Sequence, residues 1–212
     1  MANTAPASAP SPVTTFVEGP LSEDRERLKR LLREHAYLRG EFRLSSGRIT
    51  DHYFDAKQVT LDPEGTALVG RLFFDMIEPC NVEAVGGLTT GADPIAVAVS
   101  RHAWSLSVHL SAFVVRKEPK KHGLSKFIEG PLPEGARVAV VDDVVTSGQS
   151  IVQAIHVLEG EHNCKVAVVA ALVDRGEGGR ERIAQLGYEF KALFTASEVT
   201  PSRTGNHASI DA

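Results

Sequence analysis

The chain has 212 residues, of which 42% are hydrophobic and 24% are charged, and its formal net charge is −4. These values are typical of one globular domain with a sizeable core, and they give no electrostatic reason to expect nucleic acid or an anionic membrane as a partner. The two cysteines, Cys80 and Cys164, form no Cys-x-x-Cys motif. We therefore expect reduced thiols and a cytoplasmic protein, with a single disulfide as the alternative.

The two ends of the chain differ in composition from the rest. Residues 1–20 are rich in Ala, Pro and Ser and lack the basic segment and apolar core of a secretory signal, so we expect a disordered tail. Residues 200–212 are polar and are expected to form a second, frayed tail. No apolar run approaches the ~20 residues that cross a bilayer, which predicts a soluble protein without a membrane partner. The folded part is expected to be a single domain over residues 21–199.

A helix, a hairpin and a second helix are predicted at the start of the folded part. Ser22, followed by two acids and then by spaced leucines, predicts a helix that ends near Gly40. The turn-like segment Ser45–Arg48 lies between apolar residues and predicts a hairpin with a basic tip. Asp62, followed by a proline and by apolar residues at helical spacing to Ile77, predicts a capped second helix.

From residue 82 onward strands alternate with helices, which predicts an α/β fold with a central, mostly parallel twisted sheet and helices on both faces. The predicted strands are Val82–Gly86, Ser111–Val115, Arg137–Val141, Val166–Val173 and Glu189–Phe194. Helices are predicted over Pro94–Arg101 and Gln149–Leu158. Trp104 follows the first of these helices and is expected to have a packing role rather than a role in a site.

A long connection, Arg116–Gly135, separates the second and third predicted strands and has no clear periodicity. Connections of this length are uncommon inside compact domains and are often lids over a site. Its basic side chains are Arg116, Lys117, Lys120, Lys121 and Lys126, together with His122. We therefore predict that residues 116–130 form a flexible basic lid over an anion. The alternative is a solvated linker, which most charged runs are.

The stretch Val138–Ser150 carries most of the predicted chemistry. Its apolar run ends in Asp142 and Asp143, and the chain then turns through Thr146–Gly148 into a helix. Open α/β sheets bind ligands at the carboxyl ends of their strands, and the N–H groups that begin a helix bind anions. The stretch therefore predicts a phosphate site beside a site for a polyol or a metal, although an isolated acid pair is usually no more than a solvated strand end.

This stretch resembles the phosphoribosyl pyrophosphate motif of the type I phosphoribosyltransferases, in which apolar residues and two acids precede a Thr-(Ser/Ala)-Gly turn. Three further segments resemble the branch of that family that uses orotate. They are the loop Arg116–Gly123, the segment Leu44–Asp55, and Asp174–Arg175 at the end of the fourth predicted strand. Four spaced matches in the same order, over roughly residues 22–195, argue against coincidence. The resemblance implies the type I phosphoribosyltransferase fold, with a small N-terminal hood over about residues 21–60.

The resemblance also implies a reaction. Ribose 5-phosphate passes from phosphoribosyl pyrophosphate (PRPP) to orotate, giving orotidine 5′-monophosphate and pyrophosphate, a step of pyrimidine biosynthesis. The implied cofactor is Mg²⁺, held mainly by the pyrophosphate and the ribose hydroxyls, with Asp142 and Asp143 as further contacts through water. These two acids suit the ribose hydroxyls and the positive charge that develops at C1 in the transition state. The implied cradle for the 5′-phosphate is formed by Thr146, Ser147, Gly148, Gln149 and Ser150.

The leaving group and the base give roles to the remaining candidates. The residues expected to act on pyrophosphate or to bind substrate are the catalytic Lys120 and His122, with Arg116, Lys117, Lys121 and Arg48. Orotate is planar and anionic, which suits Arg175 and the aromatic pair Tyr53 and Phe54, although aromatic residues near a hairpin most often pack in the core. In the resembling family the basic loop completes the site of the neighbouring subunit, which implies a homodimer.

Two departures from the family and three other functions stay open. Ser45 stands where some members carry a lysine near the substrate, and Gly87–Asp93 lacks the lysine that some place near the pyrophosphate.

The first alternative function is phosphoribosyl transfer to another base, because the donor motif is shared. The second is a non-catalytic regulator that binds a phosphoribosyl ligand, although no nucleic-acid-binding module is visible. The third is a generic nucleotide-binding domain, against which the lack of Gly-x-Gly-x-x-Gly and P-loop motifs argues.

Overall fold

The computed structural model describes residues 21–43, 49–119 and 127–200. A two-stranded hairpin precedes a six-stranded sheet that carries helices on both faces. This confirms the predicted α/β class and the mostly parallel sheet. Residues 1–20 and 201–212 of the predicted tails, the hairpin tip and the central part of the predicted lid lie outside the described residues. The predicted domain bounds stay a prediction.

The N-terminal segment contains one helix and the hairpin. Helix α1 (Leu21–Leu31) continues into a π-helical turn, Leu32–Ala36, and then into strand β1 (Tyr37–Arg43). Strand β1 pairs antiparallel with β2 (Ile49–Phe54), so the predicted hairpin is confirmed. The prediction that the first helix reaches Gly40 is wrong, because pairing with β2 draws Tyr37 and the residues after it into a strand and overrides helical propensity.

Two helices follow the hairpin. Helix α2 (Lys57–Thr60) is a single turn, and helix α3 (Pro63–Ile77) begins where the sequence predicts. The Asp62 side chain accepts the backbone N–H groups of Glu64 and Gly65 at 2.9 and 3.1 Å. The predicted N-cap is therefore confirmed, and it satisfies donors that have no partner within the helix.

The central sheet has six strands, which are β3 (Ala84–Leu88), β4 (Ser111–Val115), β5 (Ile128–Glu129), β6 (Arg137–Val145), β7 (Lys165–Asp174) and β8 (Phe190–Thr195). Their order in the sheet is β5-β4-β3-β6-β7-β8, and they are parallel except β5, which is antiparallel to β4. The helices beside them are α4 (Ala92–Ser105), α5 (Gln149–His162), α6 (Gly179–Gln185) and α7 (Ala196–Val199). Strand β5 lies in the long connection, where the sequence predicts no strand.

Strand β6 is longer than predicted. It runs to Val145 because β7 remains paired with it as far as Asp174. The prediction that the strand stops before the acids is therefore wrong, and Asp142 and Asp143 lie inside it. Helices α4 and α5 likewise extend beyond their predicted ends.

Alternate residues of β6 face the two sides of the sheet, as strand geometry requires. Ala139 and Val141 join the core cluster that contains residues of α1, α3 and α4. Val138 and Val140 join the cluster formed with α5 and α6. The helices thus cover both faces of the sheet and leave the carboxyl edge of the strands as the place for a site.

Trp104 lies at the surface of this chain. It is 67% exposed, so it does not contribute to the core, and a packing role for it stays a prediction. Helix α4 buries Ile95, Val99 and Ala103, and Trp104 follows on a different face.

Cys80 and Cys164 are free, which agrees with reduced thiols. Within the described ranges, each helix is too short or too polar to cross a membrane.

Candidate active site

The strand order creates a crevice between β3 and β6. The chain passes from β3 outward to β4 and then returns to the other side of β3 as β6. The loops after β3 and β6 therefore leave in opposite directions, which is the arrangement at which open α/β sheets bind ligands. Residues 89–91 lie on one side of this crevice and residues 146–148 on the other. Asp142 and Asp143 lie near the end of β6.

Asp142 and Asp143 are each only 8% exposed. The backbone N–H of Asp143 donates to Oδ1 of Asp142 at 3.0 Å, and the N–H of Val144 donates to Oδ1 of Asp143 at 2.8 Å. Burial, followed by the neighbouring charge of Asp143, raises the pKa of the Asp142 carboxyl well above its ordinary value. The pair therefore favours a state in which Asp142 holds a proton.

The loop after β3 packs directly against this pair. A Cβ atom added at Gly91 would lie 2.5 Å from Oδ1 of Asp142 and 2.5 Å from Oδ1 of Asp143. A glycine is therefore required here by space. The hydroxyl of Thr89 donates to Oδ2 of Asp93 at 2.8 Å, which ties the start of the loop to the first turn of α4.

Lys57 reaches the acid pair from the N-terminal part of the chain. Its Nζ lies 3.4 Å from Oδ2 of Asp143 and 3.0 Å from Oδ1 of Asp55. Burial alone would lower the pKa of Lys57, but the hydrogen bond to Asp55 and the charge of Asp143 outweigh it and raise that pKa. Sequence reasoning missed this residue. No spacing rule relates it to Asp143, which lies 86 positions away.

The predicted phosphate cradle has the geometry of a helix start that can receive an anion. Gly148 has φ of 73° and precedes α5, and no side chain caps this helix start in the described structure. A Cβ at Gly148 would lie 3.3 Å from the Cα of Gly179, and one at Gly179 would lie 2.5 Å from the carbonyl oxygen of Thr146. These two glycines let the start of α6 pack on the cradle. Sequence reasoning missed Gly179.

The side chains of the cradle differ in accessibility. Ser147, Gln149 and Ser150 are exposed, and Thr146 is half-buried. Gln149 accepts a hydrogen bond from Nη1 of Arg182 at 3.0 Å. Hydroxyl and backbone donors therefore line the cradle, while the Gln149 carboxamide contacts α6.

A cavity of about 540 Å³ lies beside the loop after β3. It is lined by Thr89, Val114, Arg116, Lys117, Glu118 and Glu129. Nη1 of Arg116 lies 3.5 Å from Oε1 of Glu129, and Nε2 of Gln153 donates to the carbonyl of Lys117 at 3.2 Å. The structure thus places the start of the predicted lid at this cavity. Lys120, Lys121 and His122 lie outside the described residues.

Arg175 lies next to the end of β6, because its backbone N–H donates to the carbonyl of Val145 at 2.9 Å. Its guanidinium pairs with Glu177, with Nη2 and Oε1 2.8 Å apart. The preceding Asp174 is buried and accepts hydrogen bonds from the N–H of Gly176 at 2.9 Å and from Nε of Arg180 at 3.0 Å. Asp174 therefore shapes the turn, and Arg175 presents its charge beside the crevice.

The aromatic candidates lie on strand β2. Tyr53 is exposed, and its ring centroid is 5.6 Å from that of Phe42 across the hairpin. Phe54 is half-buried and packs against the core, which is the alternative that the sequence left open. Arg48 and Ser45 lie outside the described residues. Substrate roles for Tyr53, Phe54 and Arg48 stay predictions.

Comparison with known proteins places most of this site within one family. Residues 55–186 match the family described as the phosphoribosyl transferase domain. The match takes in Lys57, the acid pair, the phosphate cradle and Arg175, and it leaves out the hairpin. An orotate phosphoribosyltransferase from Aquifex aeolicus (strain VF5) is 44% identical over 179 residues, which cover 83% of this chain and 97% of the relative.

Solved structures give the same result. The orotate phosphoribosyltransferase of Mycobacterium tuberculosis H37Rv in complex with Fe(III) dicitrate is similar with a TM-score of 0.74 and 36% identity, over 83% of this chain and 98% of that chain. The same enzyme in complex with 5-phospho-alpha-D-ribosyl 1-diphosphate has a TM-score of 0.71 and 34% identity, over 83% of this chain and 98% of that chain.

Proposed function

The chain belongs to the phosphoribosyltransferase family and, within it, to the orotate phosphoribosyltransferases, and we infer from this that it transfers ribose 5-phosphate from PRPP to orotate. The products are orotidine 5′-monophosphate and pyrophosphate. The observation that carries this inference is the position of the buried Asp142–Asp143 pair. It lies in the crevice between the loop after β3 and the uncapped start of α5.

The start of α5 suits the 5′-phosphate of PRPP. The first N–H groups of a helix have no intrahelical partner, and the helix dipole favours negative charge at that end. The exposed hydroxyls of Ser147 and Ser150 add neutral donors. The M. tuberculosis enzyme, which is 34% identical to this chain, is known in complex with the donor, which supports the assignment.

The acid pair suits the ribose that follows this phosphate. Breaking the bond between C1 and the pyrophosphate oxygen leaves positive charge on the sugar ring, and a carboxylate nearby stabilises that charge. We assign this role to Asp143. Asp142, whose pKa is raised by burial, is suited to exchange hydrogen bonds with a ribose hydroxyl while it holds a proton.

The cavity beside Thr89 suits the leaving pyrophosphate. Arg116 and Lys117 line it and bring positive charge to the group that gains negative charge as the bond breaks. The predicted lid residues Lys120, Lys121 and His122 follow directly in the chain. We propose that the lid of one subunit closes over the site of its partner, where it adds these charges and keeps water away from C1.

The residues at this site also fit Mg²⁺ held mainly by the substrate. Asp142 and Asp143 offer adjacent carboxylates, and no group of three or more His, Cys, Asp or Glu side chains that could hold a metal is found across the described segments. Carboxylates and phosphate oxygens are the ligands that Mg²⁺ prefers, often with water retained. When bound, Mg²⁺ would offset the negative charge of the pyrophosphate.

We assign recognition of the base to Arg175. Its planar guanidinium can bind a carboxylate with two parallel hydrogen bonds. In this structure its Nη2 lies 2.8 Å from Oε1 of Glu177. Orotate carries a carboxylate that can replace Glu177. Purines and uracil lack that group, so this exchange favours orotate over them.

A homodimer is part of the proposal. Val97 and Trp104 lie seven positions apart, and thus on the same face of α4, with side chains 61% and 67% exposed. Two large apolar side chains aligned on one helix face support an association surface. A cytoplasmic location stays a prediction.

An ultraviolet assay of orotate consumption tests the reaction directly. The protein is mixed with PRPP, Mg²⁺ and orotate, and parallel reactions contain adenine, hypoxanthine, guanine or uracil. We expect turnover of orotate only. Turnover of a purine without turnover of orotate would overturn the assignment of the base.

Mixing two inactive variants tests the shared site. Lys120→Ala removes a lid residue and Asp143→Asn removes an acid, so a mixed dimer has one site with both residues intact. Random exchange of equal amounts is expected to restore up to about a quarter of wild-type activity. Each variant incubated alone is the control. If the mixture stays inactive after verified subunit exchange, the lid acts within its own subunit.

A further inference from the structure

We propose that Lys57 is a positioning residue for phosphoribosyl transfer: it holds Asp143 in the orientation that receives the ribose of PRPP, and Asp55 in turn holds Lys57. This inference rests on the proposed function and deepens it, because it concerns the same acid pair. It is carried by the contacts that join the N-terminal part of the chain to the end of β6.

A cation lies beside the acid pair. Asp142 and Asp143 are adjacent and largely removed from water, and buried charges are unfavourable unless they are paired or hydrogen-bonded. The ammonium group of Lys57 lies 3.4 Å from Oδ2 of Asp143. It contacts the member of the pair to which we assign the transition-state charge.

The contacts of Asp143 leave room for substrate. Its Oδ1 accepts the N–H of Val144 at 2.8 Å, and its Oδ2 faces Lys57. Because the two contacts fall on different oxygens, the plane of the carboxylate is held. Each carboxylate oxygen can accept more than one hydrogen bond, so both retain capacity for ribose hydroxyls.

Asp55 fixes the position of Lys57. Oδ1 of Asp55 accepts the backbone N–H of Lys57 at 3.2 Å and lies 3.0 Å from its Nζ. Oδ2 of Asp55 accepts from Nε2 of Gln58 at 3.1 Å. The neighbours Ala56 and Val59 are buried in the core, which anchors the short helix that carries the lysine. The amine is therefore held between two carboxylates at a defined place.

This arrangement differs from an ordinary surface ion pair. The Lys57 side chain is 37% exposed, but that of Asp143 is only 12% exposed. By contrast, Lys191 is 29% exposed and pairs at 3.5 Å with Glu189, which is 59% exposed. Surface pairs of the second kind contribute little. Lys191 is therefore a matched control, since it is a half-buried lysine whose carboxylate partner lies outside the site.

Steady-state kinetics of Lys57→Gln, Lys57→Arg and Lys191→Gln test the proposal. We expect Lys57→Gln to lower kcat/KM for PRPP about 10- to 100-fold and to change KM for orotate less than about twofold, because the lost contact orients a group that faces the ribose. Lys57→Arg should recover most of the loss, and Lys191→Gln should stay within about twofold of wild type. Activity of Lys57→Gln within about twofold of wild type, or equal loss with Arg and Gln, would overturn the proposal.

A double-mutant cycle separates positioning from folding. PRPP binding is measured by calorimetry, without orotate, for wild type, Lys57→Gln, Asp143→Asn and the double variant. We expect Lys57→Gln to weaken binding when Asp143 is present and to have less than about a twofold effect when it is absent. Equal effects in both backgrounds would show a general structural role and overturn the proposal. Asp55→Asn, which releases the lysine without removing it, should show the same pattern more weakly and replaces Lys57→Gln if that variant does not fold.

The kinetics of orotate consumption and the calorimetry of PRPP binding also separate this inference from the proposed function. If wild type binds PRPP but does not consume orotate, the assignment of the reaction fails, and the binding cycle still decides the role of Lys57. If wild type binds no PRPP, both inferences are overturned.

Discussion

The acid pair of β6 and the carboxylate of Glu198 in α7 show opposite electrostatics within one protein. Oε1 of Glu198 accepts from Arg25 at 2.6 Å, and Oε2 accepts the backbone N–H of Thr195 at 2.9 Å. The hydrogen bond from Arg25, followed by that from Thr195, lowers the pKa of Glu198 to about 2. At the acid pair, burial and a like charge raise the pKa of Asp142 instead.

This difference distinguishes Glu198, a carboxylate with a structural role, from the acid pair, to which we assign a role in the reaction. Both oxygens of Glu198 have partners within the chain, and the same Arg25 also donates to the carbonyl of Leu193 and lies over the ring of Phe194 at 4.6 Å. Asp142 is held in an environment that disfavours its charged form, and both acids lie in a crevice. Titratable groups whose pKa is shifted by their surroundings and that lie in a crevice are candidates for catalysis. Changes at the two regions should therefore have opposite effects on activity and stability.

The largest expected effect comes from Asp143→Asn. The change removes the charge that we assign to the transition state, and loss of one such group typically costs about 10²- to 10³-fold in rate. We expect a loss of that size in kcat/KM for PRPP, measured by orotate consumption. Glu198→Gln is the matched control and should retain activity within about threefold, because Glu198 has its contacts elsewhere in the fold. Comparable losses in both variants would remove the distinction between the two regions.

Gly91→Ala tests whether the crevice tolerates any side chain against the acids. The added methyl would lie 2.5 Å from one oxygen of each carboxylate, so the loop or the acids must move. We expect kcat/KM for PRPP to fall about 10-fold or more, since small displacements of reacting groups are costly. Gly160→Ala in α5 is the control, because its added methyl meets no atom within 4 Å beyond its chain neighbours and the backbone of its own helix. A fully active Gly91→Ala would show that the close packing is not needed.

Asp142→Asn should stabilise the ligand-free protein while lowering activity. The folded protein holds the Asp142 proton to a higher pH than the unfolded chain does, so this group costs stability as the pH rises above its ordinary pKa of 3.8. The neutral amide removes that cost. We expect a higher Tm at pH 7, at about 2–4 °C for each kcal/mol gained, and a smaller difference near pH 4. A lower Tm at pH 7 would contradict the assignment of an unfavourable charge.

Glu198→Gln should have the smallest effect and the opposite sign. Its lowered pKa means that the carboxylate stabilises the fold at neutral pH and that this contribution is lost as the pH falls from 4.5 towards about 2. The ion pair of Arg25 and Glu198 is partly exposed, so we expect a loss of less than about 1 kcal/mol in the free energy of unfolding at pH 7. Denaturant titrations at pH 7 and pH 3 measure it. If the difference in unfolding free energy between wild type and Glu198→Gln is larger at pH 3 than at pH 7, this account is contradicted.

Several features of the fold and site follow from the sequence because they depend on neighbouring residues. The cap at Asp62, the hairpin, and the strand, acids and turn of Val138–Ser150 each extend over a few positions. Hydrogen bonding, side-chain alternation and glycine conformation act over that range, so the pattern alone predicts the element. The family resemblance rests on the same short segments, and the comparisons confirm it.

Other features depend on which distant segments meet, and only the tertiary structure decided them. Strand β7 extends β6 past the two acids, and pairing within the hairpin ends the first helix early. The structure also brings Lys57 to Asp143 across 86 positions and packs Gly179 on the phosphate cradle. A lysine after a hairpin or a glycine at the start of a helix has no local mark of such a role. Its meaning comes from the strand order, which brings these segments to one edge of the sheet.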